Sequence, residues 1–181
     1  MGKTLLLYFS LYGHTRRIAE RIRDRMAELG EDVDAVSMLD NPDVDPEQYD
    51  RIILGACIRN GKYKPPVWDF IRRYKSLLDE RPSAFFSVNL VARKPEKNTP
   101  ETNPYTKQFM QKSPWQPDLL GVFAGDLDYQ RYGAMDRNII RFIMWITKGP
   151  TDPHTKEQYT DWDVVDRFAE QAAALGKAEA A

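Results

Sequence analysis

Apolar positions along this chain follow two periodicities that take turns from one end to the other. Short, nearly continuous apolar runs read as strands: Lys3–Phe9, an edge-like Asp32–Ser37, Arg51–Cys57, Ser83–Asn89 and Leu119–Gly125. Between them, apolar residues recur every three or four positions. Ile18, Ile22, Met26 and Leu29 mark a first helix that ends at Gly30. After Pro65-Pro66, the residues Val67, Phe70, Ile71, Tyr74, Leu77 and Leu78 form one stripe, closed by Pro82. A short helix is expected around Tyr105–Met110. The last helix opens at Thr160-Asp-Trp-Asp163, a capping-box pattern, and turns Trp162, Val165, Phe168 and Ala172 inward. Five strands alternating with helices predict an α/β fold, a doubly wound parallel sheet with right-handed crossovers, with residues 1–181 as one domain.

One stretch exceeds what that architecture needs. Residues 126–159 form an insertion between the last strand and the last helix, and long insertions in compact domains tend to be functional. Within it, Asp136–Lys148 has helical composition and is ended by Gly149-Pro150. Its Ile139, Ile140, Phe142, Ile143, Met144, Trp145 and Ile146 cover more than one packing face needs, and Arg131, Arg137, Arg141 and Lys148 edge it with positive charge. The expectation is an amphipathic helix that rests on an anionic membrane surface, or closes as a lid over a large apolar substrate or quinone entrance. Arg137, Ile140, Arg141, Ile143, Met144 and Trp145 are its candidate contacts. A helix packed on the sheet with snorkelling cations is the alternative.

Composition narrows the setting. At 181 residues with 42% hydrophobic positions, the chain can bury a proper core. A net charge of -1 gives no drive toward nucleic acid. The single cysteine, Cys57, rules out an internal disulfide and suits a reducing compartment. Two histidines far apart, His14 and His154, make no visible metal cluster. No apolar run approaches membrane-spanning length, and Leu6 stands where an acylation signal on Met1-Gly2 needs Ser or Thr. A cytoplasmic protein is expected.

In such a sheet, ligands bind beyond the carboxyl ends of the strands, where strand order reverses. The loops to read are Ser10–Thr15, Ile58–Tyr63 and Asn89–Lys94. Ser10-Leu-Tyr-Gly-His-Thr15 joins a strand to a helix N-terminus and offers backbone amides and two hydroxyls to an anion, with no Lys or Arg inside it. That suits a phosphate monoester and lacks the Gly-Lys-Ser/Thr ending of a Walker loop. A plain βα turn with a capping Ser10 or Thr15 is the alternative. The other loops carry Arg59, Lys62, Arg93 and Lys94. Arginines there can pair with substrate carboxylates.

Ser10-Leu-Tyr-Gly-His-Thr15 resembles the T/S-x-x-G-x-T phosphate loop of flavodoxin-like proteins, and the likeness spans nearly the whole chain. Within that superfamily, several segments look like the menaquinone-dependent protoporphyrinogen oxidases: Gly55–Tyr63, Ser83–Lys97, Arg131–Arg137 and Tyr159–Trp162. The string Ser-Val-Asn-Leu-Val-Ala-Arg-Lys-Pro within the second is long and specific. The resemblance implies an FMN enzyme that oxidises protoporphyrinogen IX to protoporphyrin IX in haem synthesis. Electrons would pass to a membrane quinone, menaquinone or ubiquinone, at the inner face of the cell membrane. It also implies that Ser10, Leu11, Tyr12, Gly13, His14 and Thr15 hold the FMN phosphate. Ile58, Arg59, Asn60, Gly61, Ser87, Val88, Asn89 and Leu90 would flank the flavin ring, with Arg59, Arg93 and Arg131 toward substrate. No Trp occupies the loop after the third strand, which leaves Tyr12 or Tyr63 to stack on the flavin. No side chain stands out as a general base, so flavin N5 is expected to take the hydride. A flavodoxin-type electron carrier, an NAD(P)H-dependent quinone reductase and an FMN-free binding module are the competing readings.

Overall fold

The computed structural model describes residues 2–177; Met1, on which the acylation reading partly turns, lies outside them. Five parallel strands, β1 (Lys3–Phe9), β2 (Asp32–Ser37), β3 (Arg51–Cys57), β4 (Ser83–Asn89) and β5 (Leu119–Ala124), form one sheet in the order β2-β1-β3-β4-β5. Both faces of the sheet are covered, which is why its inner strands read as unbroken apolar runs rather than alternating ones.

On one face, Leu6, Tyr8, Ile53, Phe86 and Phe123 pack against α1 (His14–Glu28) and α6 (Trp162–Ala174). On the other, Leu5, Leu7, Ile52, Leu54 and Phe85 pack against α2 (Pro65–Arg73), α3 (Lys75–Glu80), α4 (Pro104–Lys112) and the buried Trp115. Gly55 of β3 lies beside Phe86 of β4, whose ring occupies the space a Cβ at that position would take. Arg51, at the foot of β3, is buried. It donates to Glu31, Thr4 and the carbonyls of Ala173 and Leu175, tying the end of α6 to the sheet.

Three expectations change. The single stripe from Val67 to Leu78 is two helices, because Tyr74 takes a non-helical backbone (φ -110°, ψ 23°) with its ring against Phe70. The inserted segment also contains two short strands, β6 (Asp126–Asp128) and β7 (Lys156–Gln158), paired antiparallel; three-residue strands are too short to show a period. The cap of α6 is Asp161, whose carboxylate accepts from the amides of Asp163 and Val164, so Thr160 is free for another partner. The helix of the insertion, α5, spans Ala134–Ile146.

Candidate functional site

Strand order reverses between β1 and β3, and the chain leaves β1 there through Ser10–Gly13 to enter α1 at His14. Gly13 sits at φ 90°, where a side chain would be strained even though a Cβ would meet nothing. The Ser10 hydroxyl oxygen accepts from the amides of Gly13 (3.2 Å) and Arg16 (3.3 Å) and folds the loop back on the helix. The Leu11 amide is turned to the Cys57 sulfur, while the amides of Tyr12, His14 and Thr15 have no protein acceptor among the described residues. Aimed from the positive end of α1, with the Thr15 hydroxyl beside them, they form an anion cradle of uncharged donors. Such donors fit a phosphate monoester.

His14 closes the back of this cradle. Its buried ring meets the Thr160 hydroxyl at 2.6 Å, and that hydroxyl donates to the carbonyl of Ala124 at 2.7 Å. Thr160 therefore accepts from Nε2–H, and Nδ1 is left without a hydrogen-bond partner among the described residues, 3.6 Å from Asp126. Burial holds the imidazole below its ordinary value, against an opposing pull from Asp126.

The loop after β3 is a tight hairpin. Arg59 and Lys62 exchange backbone hydrogen bonds (2.9 and 3.2 Å) around Asn60 (φ 50°) and Gly61 (φ 74°), the two-residue turn that Asn-Gly favours. After β4, the Asn89 side chain accepts from the amide of Ala92 and shapes the turn Leu90–Arg93. The fourth wall comes from the insertion. Leu127, Tyr129, Tyr132 and Met144 pack together against Tyr12 and Leu90, which sets α5 over the loops. The resulting cleft holds about 920 Å³ of free space with its mouth included, and Ile139, Ile140 and Ile143 form its apolar roof.

A family model for the flavodoxin domain matches residues 5–154. This chain belongs to the flavodoxin domain family. Two curated relatives match most of it. A protein from Escherichia coli (strain K12) is 43% identical over 173 residues, covering 96% of each chain. One from Leishmania major is 44% identical over 174 residues, covering 96% of this chain and 75% of that protein. Both are named protoporphyrinogen IX dehydrogenase [quinone]. Solved flavodoxins share the fold: two-electron reduced Megasphaera elsdenii flavodoxin has a TM-score of 0.54 at 14% identity, covering 94% of this chain and 98% of that one. Oxidised flavodoxin 1 from Bacillus cereus has a TM-score of 0.51 at 18% identity, covering 94% and 95%.

In this flavodoxin domain, Ser10, Leu11, Tyr12, His14, Thr15, Ile58, Arg59, Asn60, Gly61, Val88, Asn89 and Leu90 all line the cleft. Ser87 does not: its hydroxyl lies behind the wall, accepting from Tyr63 at 2.7 Å and from Asn89 at 3.0 Å. Tyr63 is buried among Trp68, Phe85 and Phe109, which removes it as a stacking partner and leaves Tyr12 as the tyrosine of that pair on the cleft. The three candidate cations differ. Arg131 is taken up by Asp126, Asp128 and the carbonyl of Tyr12, where it braces the Ser10–Thr15 loop. Arg93 donates to Leu90 and Thr147 and anchors the end of α5. Arg59 lies on the cleft, over the Tyr12 ring at 4.5 Å and paired with Asp136.

Of the candidate membrane contacts, Met144 is fully buried and Ile140 and Ile143 face the cleft, so these three are turned away from any bilayer. The large apolar side chains that α5 exposes are Met135, Phe142, Trp145 and Ile146. Cys57, Val91, Tyr105, Gly125, Asp126, Tyr132 and Ile139 also line the cleft. Cys57, at the end of β3, was within reach of sequence reasoning, since the residue before a switch-point loop borders it. Val91 and Gly125 likewise border the ends of β4 and β5, and Tyr105 comes from α4, whereas Asp126, Tyr132 and Ile139 depend on how residues 126–159 fold back.

Proposed function

We propose that this chain is an FMN-dependent dehydrogenase that oxidises protoporphyrinogen IX to protoporphyrin IX and passes the electrons to a quinone. The observation that carries the reading is a cleft with two unlike ends: an uncharged anion cradle on one side and an apolar roof with one arginine on the other. Relatives matching 96% of the chain bear the corresponding name. When bound, FMN supplies the two-electron acceptor. The protein holds its phosphate with the Ser10–Thr15 amides and hydroxyls. The tight Arg59–Lys62 hairpin and the Asn89-braced turn give the flavin ring two preorganised edges. Ile139, Ile140 and Ile143 match the apolar body of a tetrapyrrole and exclude water above it. Arg59 offers a charge-assisted partner to a propionate.

The proposal extends to the membrane. Residues 126–159 are read as an insertion in a single domain, and α5 carries two apolar faces. Ile140, Ile143 and Met144 turn inward, while Met135, Phe142, Trp145 and Ile146 face out, the last three at 60%, 70% and 58% exposure. No helix among the described residues is long and apolar enough to cross a membrane. The outward face, edged by Arg137, Arg141 and Lys148, suits the boundary of an anionic bilayer at the cytoplasmic side, where a lipid-phase quinone is at hand.

The test is anaerobic mixing of FMN-loaded protein with protoporphyrinogen IX and a menaquinone analogue, following porphyrin fluorescence. Porphyrin should appear with turnover and only when the quinone is present. Rapid flavin reduction by NAD(P)H with no porphyrin formed would overturn the reading.

A further inference from the structure

Asp136 occupies an unusual position for a carboxylate. It is the acidic residue of the first turn of α5, yet its carboxylate is turned from solvent toward the β3 hairpin and the Ser10–Thr15 loop. Its carboxylate pairs with Arg59 on the β3 hairpin and accepts from the Tyr12 hydroxyl at 2.8 Å. The Arg59 and Asp136 side chains are only 16% and 19% exposed. Three separate parts of the chain, the phosphate loop, the hairpin and the inserted helix, therefore meet at one carboxylate.

The two ends of α5 are held differently. Its C-terminal end is anchored by packing and by a hydrogen bond that involves no carboxylate: Met144 sits in the small core with Leu127, Tyr129 and Tyr132, and Thr147 accepts from the Arg93 guanidinium at 2.8 Å. Its N-terminal turn follows Gly133, and its tie to the cleft rim is the Asp136 carboxylate. Arg59 is also the one candidate cation whose anionic partner rides on this inserted helix; Arg131 pairs with Asp126 and Asp128 within its own segment.

Building on the function proposed above, we infer that Asp136 is an internal surrogate for a substrate carboxylate. In the resting chain it saturates Arg59 and latches α5 over the cleft. A carboxylate of an anionic tetrapyrrole exchanges with it at Arg59. The exchange conserves one ion pair at Arg59, returns the Asp136 carboxylate to water, and frees the first turns of α5 to lift as the ligand enters. A tetrapyrrole without carboxylates lacks the group that competes for Arg59. The latch thereby taxes acidic ligands alone: their apparent affinity is the intrinsic one multiplied by the fraction of molecules in which Arg59 is free of Asp136, whereas a ligand without carboxylates leaves that pair in place.

The test uses FMN-loaded protein titrated with protoporphyrin IX and with its dimethyl ester, read by fluorescence quenching, in the native chain, Asp136→Asn and Arg59→Gln. Asn keeps an acceptor for Tyr12 and removes only the charge. Asp136→Asn should raise the preference for the diacid over the ester by about tenfold, and Arg59→Gln should abolish that preference. Hydrogen exchange in the first two turns of α5 should rise on adding the diacid to the native chain, and should already be fast in Asp136→Asn. Equal diacid-to-ester preference in the native chain and Asp136→Asn, or α5 protection unmoved by saturating diacid, overturns the latch alone. Failure of every variant to bind either porphyrin overturns the substrate reading and the latch with it.

Discussion

The Nε2–H of His14 meets the hydroxyl of Thr160 at 2.6 Å, joining the first turn of α1 to the loop before α6 across 146 positions of sequence. Because Thr160 donates onward to Ala124, the ring is fixed in one tautomer, with its bare nitrogen turned toward Asp126. Thr160→Val removes the acceptor and leaves a buried donor unsatisfied. It should cost about 1–3 kcal/mol, measured by urea unfolding. A variant as stable as the native chain would mean that water replaces the hydroxyl.

The same ring sets a pH dependence. Burial lowers its folded-state pKa below the ordinary 6.5, so the unfolded chain binds this proton first as pH falls. The stability His14 contributes is complete above its unfolded pKa and declines as pH drops from there through the depressed folded value. Unfolding free energy should therefore fall below about pH 6.5, and His14→Gln should flatten that part of the profile. An NMR titration of the imidazole at or above its ordinary value would contradict it.

Thr15 stands at the floor of the phosphate cradle, buried beside Cys57. Replacing it by Leu fills space meant for phosphate oxygens and removes a donor. FMN affinity should drop by at least about tenfold, one lost charge-assisted hydrogen bond, while the chain stays folded. Flavin fluorescence quenching measures the first and circular dichroism the second. A protein that stays fully yellow would refute the cradle.

Arg51 and Glu31 form a mostly buried pair, 10% and 7% exposed, with Lys177 on the carboxylate's other oxygen. Burial works to raise Glu31, but hydrogen bonds from Lys177 and Arg51 outweigh it and hold the carboxyl below its ordinary value. That stability is present above the unfolded pKa and lost as pH falls through the folded one. Arg51→Met should cost about 3 kcal/mol, since it leaves Glu31 with Lys177 alone and strips the carbonyls that end α6 of their donor, and it should also weaken the acid dependence below about pH 4.5.

Phe142 and Trp145 project from α5 away from the cleft, their rings 6.2 Å apart. Substituting both by Ser should release the protein from anionic vesicles in a flotation assay and leave bound flavin unchanged. Arg137→Glu with Arg141→Glu should do the same through charge. Vesicle binding untouched by both pairs would remove the membrane role from α5.

Much of the fold was legible because its signals are local. Strands buried on both faces have to be continuous apolar runs, and the loop from Ser10 to Thr15 needs its hydroxyls and its left-handed glycine whatever surrounds them. The break at Tyr74 was not legible, since stripe spacing is blind to one residue leaving the helical backbone. Nor was the difference among the arginines. Arg59, Arg93 and Arg131 look alike in the sequence, and only their partners separate a brace on Tyr12 and an anchor on Thr147 from a cation facing the cleft.

By itself the sequence determined the alternation of elements, the sheet with both faces covered, a first crossover rich in uncharged donors and a helix before the last one with more apolar surface than one contact uses. Tertiary structure alone decided which side of that helix faces the cleft, that Tyr12 and not Tyr63 lines it, and that Asp136 closes on Arg59. Periodicity and turn chemistry act over a few residues and leave their mark in order along the chain. Pairings between distant loops depend on where the sheet carries them, and no local pattern records that.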